Sequence, residues 1–211
     1  MRYAIVRRGE SRSFPGDDPF LAGAVAADDA DVVIYLGAPF EADDAKAAIL
    51  VELGHECLGV HTGEGMGDEG SNVLGFARYR NGADPPSPLV ELVRQPKSRE
   101  SAIDAARTVF ESAGFAVALC GDQAGRIIDR LVRPKYNAAL RLLDEGLATQ
   151  PDMDLTCRLG LGYPDGPVER VVRGGLAYHY EVSKALFETY GTPAYAPARR
   201  AVVAAEREKR S

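Results

Sequence analysis

His55 and His61 lie among Glu52, Glu56 and Glu64. An imidazole beside a carboxylate is the ordinary pairing for general acid–base work, although the same residues also read as solvent-facing loop side chains. Asp129 precedes Arg130 and stands one helical turn before Arg133, a spacing for an ion pair rather than for a carboxylate dyad. Asp152 and Asp154 are two apart, so on a helix they diverge, one capping and one packing or pairing. Cys57, Cys120 and Cys157 are far apart and odd in number, and the histidines make no HxxxH pair, so neither a disulfide framework nor a zinc site follows. Arg126, Arg130, Arg133 and Lys135 could grip one phosphate group, or form a solvated face or a salt-bridge network. A dinucleotide would need a G-x-G-x-x-G turn after the first strand, so that its pyrophosphate can approach the backbone at a helix N-terminus. The chain reads RRGESRSF there, and Gly9 is the sole glycine.

The composition sets the frame for these residues. A length of 211 residues suits one large domain or two small ones, and 45% hydrophobic with 27% charged residues is ordinary for a globular protein with a real core. The net charge of −6 argues against a general grip on nucleic acid. No apolar run is long enough for a membrane span, and the N-terminus MRYAIVRRGE has neither a long apolar stretch nor a small-residue cleavage site. The expectation is a cytoplasmic protein with free thiols.

The elements that must position these groups divide into an α/β part, residues 1–120, and a helical part, residues 121–211. Arg2–Val6, Asp31–Leu36, Glu56–Val60, Leu74–Tyr79, Leu89–Arg94 and Ala116–Leu119 read as strands, and Asp31–Leu36 has the continuous apolar character of a strand buried on both faces. Asp17–Ala27 reads as a short helix. Asp43–Leu53 has good helix formers with Ala47, Leu50 and Val51 on one side. Ser98 or Ser101 is expected to cap a helix reaching Ala113, with Gly114 as its C-cap glycine. Gly63–Gly70 reads as a mobile turn. In the second part Gly125–Glu145 carries a broad apolar stripe (Ile127, Ile128, Leu131, Val132, Ala138, Ala139, Leu142, Leu143), which Pro134 should kink or split. Further helices are expected at Pro151–Leu159, from Pro167, at Tyr178–Tyr190 and over the charged tail Ala198–Lys209.

The run Gly125-Arg126-Ile127-Ile128-Asp129-Arg130-Leu131-Val132-Arg133-Pro134-Lys135-Tyr136-Asn137 resembles a stretch of the 3-hydroxyacyl-CoA dehydrogenases, where Gly-Phe, two aliphatics and Asn-Arg lead to a proline and an asparagine. Three further elements follow in the family's order: Glu145-Gly146 through Asp152-Met153-Asp154, the turn Tyr163-Pro164-Asp165-Gly166-Pro167, and Tyr190-Gly191 through Tyr195-Ala196-Pro197. Upstream, Asp31–Ile34 with Lys46, the segment Gly75–Asn81 and the strand Leu89–Val93 resemble the family more thinly. The second, degenerate module of fused phenylacetate-pathway dehydrogenases is similar in having the same turn and an eroded nucleotide-binding half.

The resemblance implies a pared-down Rossmann-like sheet followed by an all-α domain of the 6-phosphogluconate-dehydrogenase C-terminal-like type. It also implies a catalytic histidine oriented by a glutamate, with a serine and an asparagine beside them. Here Glu91 stands at the glutamate's position, Arg78 at the histidine's, Gly63 at the serine's and Asp129 at the asparagine's. Arginine stays protonated and cannot act as a general base, and the aspartate turns a donor–acceptor amide into an acceptor. Arg130, Pro134, Asn137, Gly166 and Pro167 match the family's substrate-side positions. The expectation is a dehydrogenase homologue without NAD or another cofactor. It would be a dimerising or acyl-CoA-associated module, its apolar stripe facing either a second copy or a partner dehydrogenase subunit. The alternative is a divergent, NAD-using 3-hydroxyacyl-CoA dehydrogenase.

Overall fold

The computed structural model describes residues 1–16, 18–65 and 71–210. The chain forms two compact units, residues 1–80 with 86–126 and residues 81–85 with 127–211. Most of the turn expected at Gly63–Gly70 lies outside the described residues.

The first unit is built on β1 (Tyr3–Arg7), β2 (Val32–Leu36), β3 (Ala48–Glu52), β4 (Val73–Arg78), β5 (Leu89–Arg94) and β6 (Ala116–Gly121). Their order across the sheet is that of the sequence. The β4–β5 pair is antiparallel and every other pair is parallel. Two one-turn helices, α1 (Pro19–Ala22) and α2 (Gly59–Thr62), and the longer α3 (Glu100–Ser112) join them. One face of the sheet packs Ile34, Leu50, Phe76 and Leu92 against Ala102, Ala106 and Phe110 of α3, with Phe14 and Phe20 closing the layer. The other face packs Val33, Ile49, Val51 and Val93 around Leu58.

Residues expected to be helical at Asp43–Leu53 instead form a turn followed by β3. Ala48–Val51 are buried on both faces between β2 and β4, and that pairing overrides the helix propensity of Ala, Lys and Leu. Glu56–Val60 is not a strand but the approach to α2. Helix α3 begins without a side-chain cap at Arg99, because the Ser98 hydroxyl turns back to accept from the Gln95 amide at 3.0 Å. Gly114 follows it with φ of 87°, as a C-cap glycine should.

The second unit contains α4 (Ile128–Asp144), α5 (Gln150–Leu161), α6 (Pro167–Arg173), α7 (Leu176–Tyr190) and α8 (Arg199–Glu208). Its core gathers Tyr136, Leu140, Val168, Val171 and Ala198. Helix α4 runs unbroken through Pro134. A proline leaves the carbonyl four residues earlier without its amide. Here that carbonyl, on Arg130, accepts from the Tyr195 hydroxyl at 3.5 Å. Of the expected apolar stripe Ala139 is buried, with Val132 and Leu143 packed partly against the core, while Leu131 is 69% and Ile127 42% exposed; the rest of the buried face is Asp129, Arg133, Tyr136, Asn137 and Leu140. Asp129 and Arg133 can be buried because they pair with each other, and Asn137 because it is bonded to His179 and to the backbone of Ala194 and Ala198.

Candidate functional site

The β4–β5 hairpin decides what Glu91 and Arg78 can do. In an antiparallel pair, residues directly opposite share a face, and neighbours along one strand point to opposite faces. The register sets Ala77 across from Glu91 and Arg78 across from Val90. Arg78 and Glu91 therefore project from opposite faces of the sheet, and the residue facing Glu91 is Ala77, whose methyl group carries no proton chemistry.

Arg78 is buried on the α3 side. Its Nη1 donates to Asp18 Oδ2 (3.0 Å) and to the Ser13 carbonyl (2.8 Å), its Nε donates to the Ser87 carbonyl (2.9 Å), and its guanidinium lies 4.4 Å from the Phe115 ring centre. It ties the segment after β1 to the hairpin. On the other face, Glu91 meets Arg126, whose Nε stands 3.6 Å from the carboxylate, both side chains being 4% exposed. Arg126 also donates from Nη2 to the Gly54 carbonyl at 2.5 Å. The left-handed backbone at Gly125 and Arg126, with φ of 72° and 47°, sets this side chain's approach. Nearby, burial first and the Glu91 charge second push the Cys120 thiol up to about 11, so it stays protonated near neutral pH.

The carboxyl ends of β1, β2 and β3 open onto a cleft of about 480 Å³ lined by Glu10, Arg12, Gly37, Pro39, Glu52, Glu56 and His61. His61 Nε2 lies 3.2 Å from Glu56 Oε1. Burial alone would raise the Glu56 carboxyl, but the Gly54 and Glu56 amides and the His61 contact hold it below the usual range. His55 contributes its carbonyl, which accepts from the Gly125 amide at 2.8 Å. Gly9 and Gly37 back onto each other at the ends of β1 and β2: a Cβ on Gly9 would lie 3.3 Å from the Gly37 carbonyl oxygen. The first helix after β1 is the four-residue α1, and its N-terminus is occupied by the Asp18 carboxylate, which accepts from the Phe20 amide at 3.0 Å.

In the second unit Asp129 accepts from Arg133 Nε (2.8 Å) and Nη2 (2.6 Å), forming an ion pair one turn apart on α4. His179 of α7 lies 3.0 Å from Asn137 Oδ1 through Nε2 and 3.4 Å from Arg133 Nη1 through Nδ1. Since Arg133 can only donate, Nδ1 is the acceptor and Nε2 carries the proton. Burial, followed by the Arg133 charge, pushes His179 down to about 3. Its unfolded value is near the ordinary ~6.5. Between those values the unfolded chain takes up a proton that the folded chain refuses, so the stability is present above pH ~6.5 and is lost as pH falls. The expected loss from this group is at most ~1.4 kcal/mol per pH unit. Urea midpoints at pH 7 and pH 5 measure it, and His179→Gln should flatten the difference.

The residues that match the family motifs are brought together by the fold. Arg130 stacks its guanidinium 4.5 Å from the Tyr190 ring centre. Asn137 is fully enclosed; its Nδ2 donates to the Ala194 carbonyl (3.1 Å) and its Oδ1 accepts from the Ala198 amide (3.2 Å). The first and last motifs are thus one contact surface. Asp154, 3% exposed, accepts from the Val168 (2.9 Å) and Glu169 (3.1 Å) amides at the start of α6, and a Cβ on Gly166 would overlap its side chain. Gly166→Ala should therefore cost about 1–3 kcal/mol, the range for overpacking, read from thermal melts. Each of the four cations expected to share a phosphate has a contact of its own. Arg126 belongs to the first unit, Arg133 is committed to Asp129, Arg130 to Tyr190, and Lys135 stands over Tyr163.

Among the described residues no helix is long and apolar enough to cross a membrane, and no cluster of three metal-ligating side chains occurs. The family profile described as 3-hydroxyacyl-CoA dehydrogenase, C-terminal domain, matches residues 125–211. A 3-hydroxybutyryl-CoA dehydrogenase of Mycobacterium tuberculosis is 36% identical over 116 residues, which are 54% of this chain and 40% of that protein. The mitochondrial hydroxyacyl-coenzyme A dehydrogenase of Sus scrofa is 34% identical over 88 residues, 42% of this chain and 28% of that protein. The chain thus matches less than half the length of these relatives. Among solved structures, M. tuberculosis FadB2 superposes with a TM-score of 0.71 at 22% identity, over 85% of this chain and 67% of that one. The (S)-3-hydroxybutyryl-CoA dehydrogenase PaaH1 of Ralstonia eutropha gives 0.69 at 20% identity, over 82% of this chain and 64% of that one. These last two likenesses establish the fold, a mostly parallel Rossmann-like sheet followed by a helical domain. Within that fold, residues 125–211 match the C-terminal domain of the 3-hydroxyacyl-CoA dehydrogenase family.

Proposed function

We propose that this chain is a member of the family that has lost NAD-dependent hydride transfer and acts as a dimerising or acyl-CoA-associated module. The observation that carries the reading is the hairpin register: Glu91 is held against Arg126, and the position across the strand pair from it is Ala77, a methyl group in place of an imidazole. The residues after β1 do not fit a dinucleotide either. Pyrophosphate sites in such sheets use a glycine-rich turn at a helix N-terminus, in the crevice where strand order reverses. Here the order never reverses, the Gly9 and Gly37 backbones pack together, and α1 is capped by its own aspartate. The cleft at the strand ends presents Glu10, Glu52 and Glu56 against a single arginine, Arg12, an unfavourable lining for a pyrophosphate.

The partner surface in this reading is the outer face of α4. Ile127, Leu131 and Leu142 are exposed there at positions that share one side of the helix, which suits association with a second copy or with an active dehydrogenase subunit. The three unpaired cysteines suit the reducing cytoplasm we assign to it.

The test is NADH oxidation with acetoacetyl-CoA, followed at 340 nm with the purified chain. A flat trace is expected. A rate well above the blank that disappears in Glu91→Ala would overturn the reading. One observation favours the alternative of a divergent dehydrogenase: the His61–Glu56 pair in the strand-end cleft, which has the composition of an acid–base pair. An NADH-dependent rate abolished by His61→Gln would establish it.

A further inference from the structure

The two edges of the first unit's sheet are protected unequally. Strand β1 has Arg2, Arg7 and Arg8 in it or beside it, and its Tyr3 carbonyl accepts from the Val25 amide at 2.9 Å. Arg7 also ties down the chain that follows, donating from Nε to the Gly9 carbonyl and from Nη1 to the Gly16 carbonyl, both at 3.0 Å. Charge and a covering segment are the usual means by which an edge strand avoids recruiting another. Strand β6 lacks both. Residues 113–121 read AGFAVALCG, without a charge or a proline. Every residue of β6 keeps some exposure, whereas β2 is buried throughout.

The register fixes which backbone groups of β6 are free. The Ala116 amide donates to the Pro88 carbonyl at 3.0 Å, on the β5 side. Backbone groups of successive residues along a strand turn to opposite sides. Ala116, Ala118 and Cys120 therefore bond to β5, and the amides and carbonyls of Val117, Leu119 and Gly121 point outward. Among the described residues no hydrogen bond reaches these outward groups.

We propose that β6 pairs antiparallel with β6 of a second copy, about a two-fold axis at Leu119, joining two six-stranded sheets edge to edge. In that register Leu119 meets its own counterpart and Val117 meets Gly121, each facing pair exchanging two hydrogen bonds. Between them Ala118 stands opposite Cys120. Away from the axis each larger side chain thus meets a small one. The charge distribution favours a second copy as the occupant. A net charge of −6 opposes the approach of two copies in general, and the uncharged run 113–121 is where they can meet without that repulsion. Asp122, the next charge along, falls opposite Ala116, so the two copies' carboxylates lie at opposite ends of the ribbon. This interface lies in the first unit; it goes beyond the α4 surface proposed above and does not depend on it.

The test is Ala118→Cys in the full chain, oxidised with diamide and run on a non-reducing gel. Opposite residues at a non-hydrogen-bonded position have Cα atoms ~4.5 Å apart, within reach of a disulfide. The introduced thiol should bond to Cys120 of the second copy, with peptide mass spectrometry placing the bond. The covalent dimer should form at least about tenfold faster than with Val117→Cys, whose thiol lies on the other sheet face opposite a glycine. Adding Leu119→Lys to the Ala118→Cys chain sets like charges directly opposite and should abolish the dimer. A dimer that forms no faster with Ala118→Cys than with Val117→Cys overturns the proposal, as does one that persists in a folded Leu119→Lys chain. The first comparison decides the matter even where Leu119→Lys does not fold. A dimer joined through α4 alone yields no Ala118→Cys cross-link to Cys120, so failure here leaves the α4 reading standing.

Discussion

Glu91→Ala lowers the unfolding free energy by about 3–5 kcal/mol, the cost of leaving one charge of a buried pair unanswered. The charge left behind is Arg126, whose side chain is 4% exposed and keeps only its Nη2 contact with Gly54 among the hydrogen bonds described. Urea denaturation measures the loss. Replacing both partners, with Glu91→Leu and Arg126→Met, should recover most of it, because apolar groups of similar volume carry no desolvation penalty. The effect separates two roles for the same glutamate. A residue retained to orient a catalytic base would cost rate and little stability; one retained to balance Arg126 costs stability and no rate. A Glu91→Ala protein with the wild-type urea midpoint would dismiss the structural role.

Arg78→Ala should be comparably severe, again about 3–5 kcal/mol for a broken buried pair. It strands the Asp18 carboxylate and the carbonyls of Ser13 and Ser87, and it removes the cation from the Phe14 and Phe115 rings. Arg78→Lys should recover less than half, since an ammonium cannot span acceptors on both the segment after β1 and the hairpin. Arg78→His tests the chemistry from the other direction: an imidazole at this position faces α3, not Glu91, so no NADH oxidation should appear. Denaturation and the 340 nm assay read both outcomes, and an active Arg78→His protein would contradict the strand register.

These two residues also mark where sequence reading succeeds and where it stops. Strand β5 is legible at its observed bounds, Leu89–Arg94, because a buried strand is a short continuous apolar run closed by proline and charge. Gly146, with φ of 72°, ends the α4 segment as expected of a C-cap glycine. Residues 43–53 mislead because Ala, Lys and Leu favour a helix locally, while the pairing of Ala48–Glu52 between two strands is a tertiary fact. Glu91 and Asp129 are found by their place in motifs. The face on which Arg78 projects is not, because one residue of register reverses it and the loop Asn81–Pro88 hides that register. His179 belongs to no motif. Its partner Asn137 is 42 positions away along the chain, and only the packing of α7 on α4 brings them together.

The strand order has a consequence for how the chain is made. In the first unit each strand lies beside the one synthesised just before it. Every emerging strand therefore finds its template already outside the ribosome, and each crossover closes onto the strand just before it. A sheet whose order reverses must keep its first strand half-paired until a distant segment arrives. Here growth is one-directional, from β1 to β6. The same arrangement leaves β1 at an edge of the described sheet, so its five residues pair with β2 on one side.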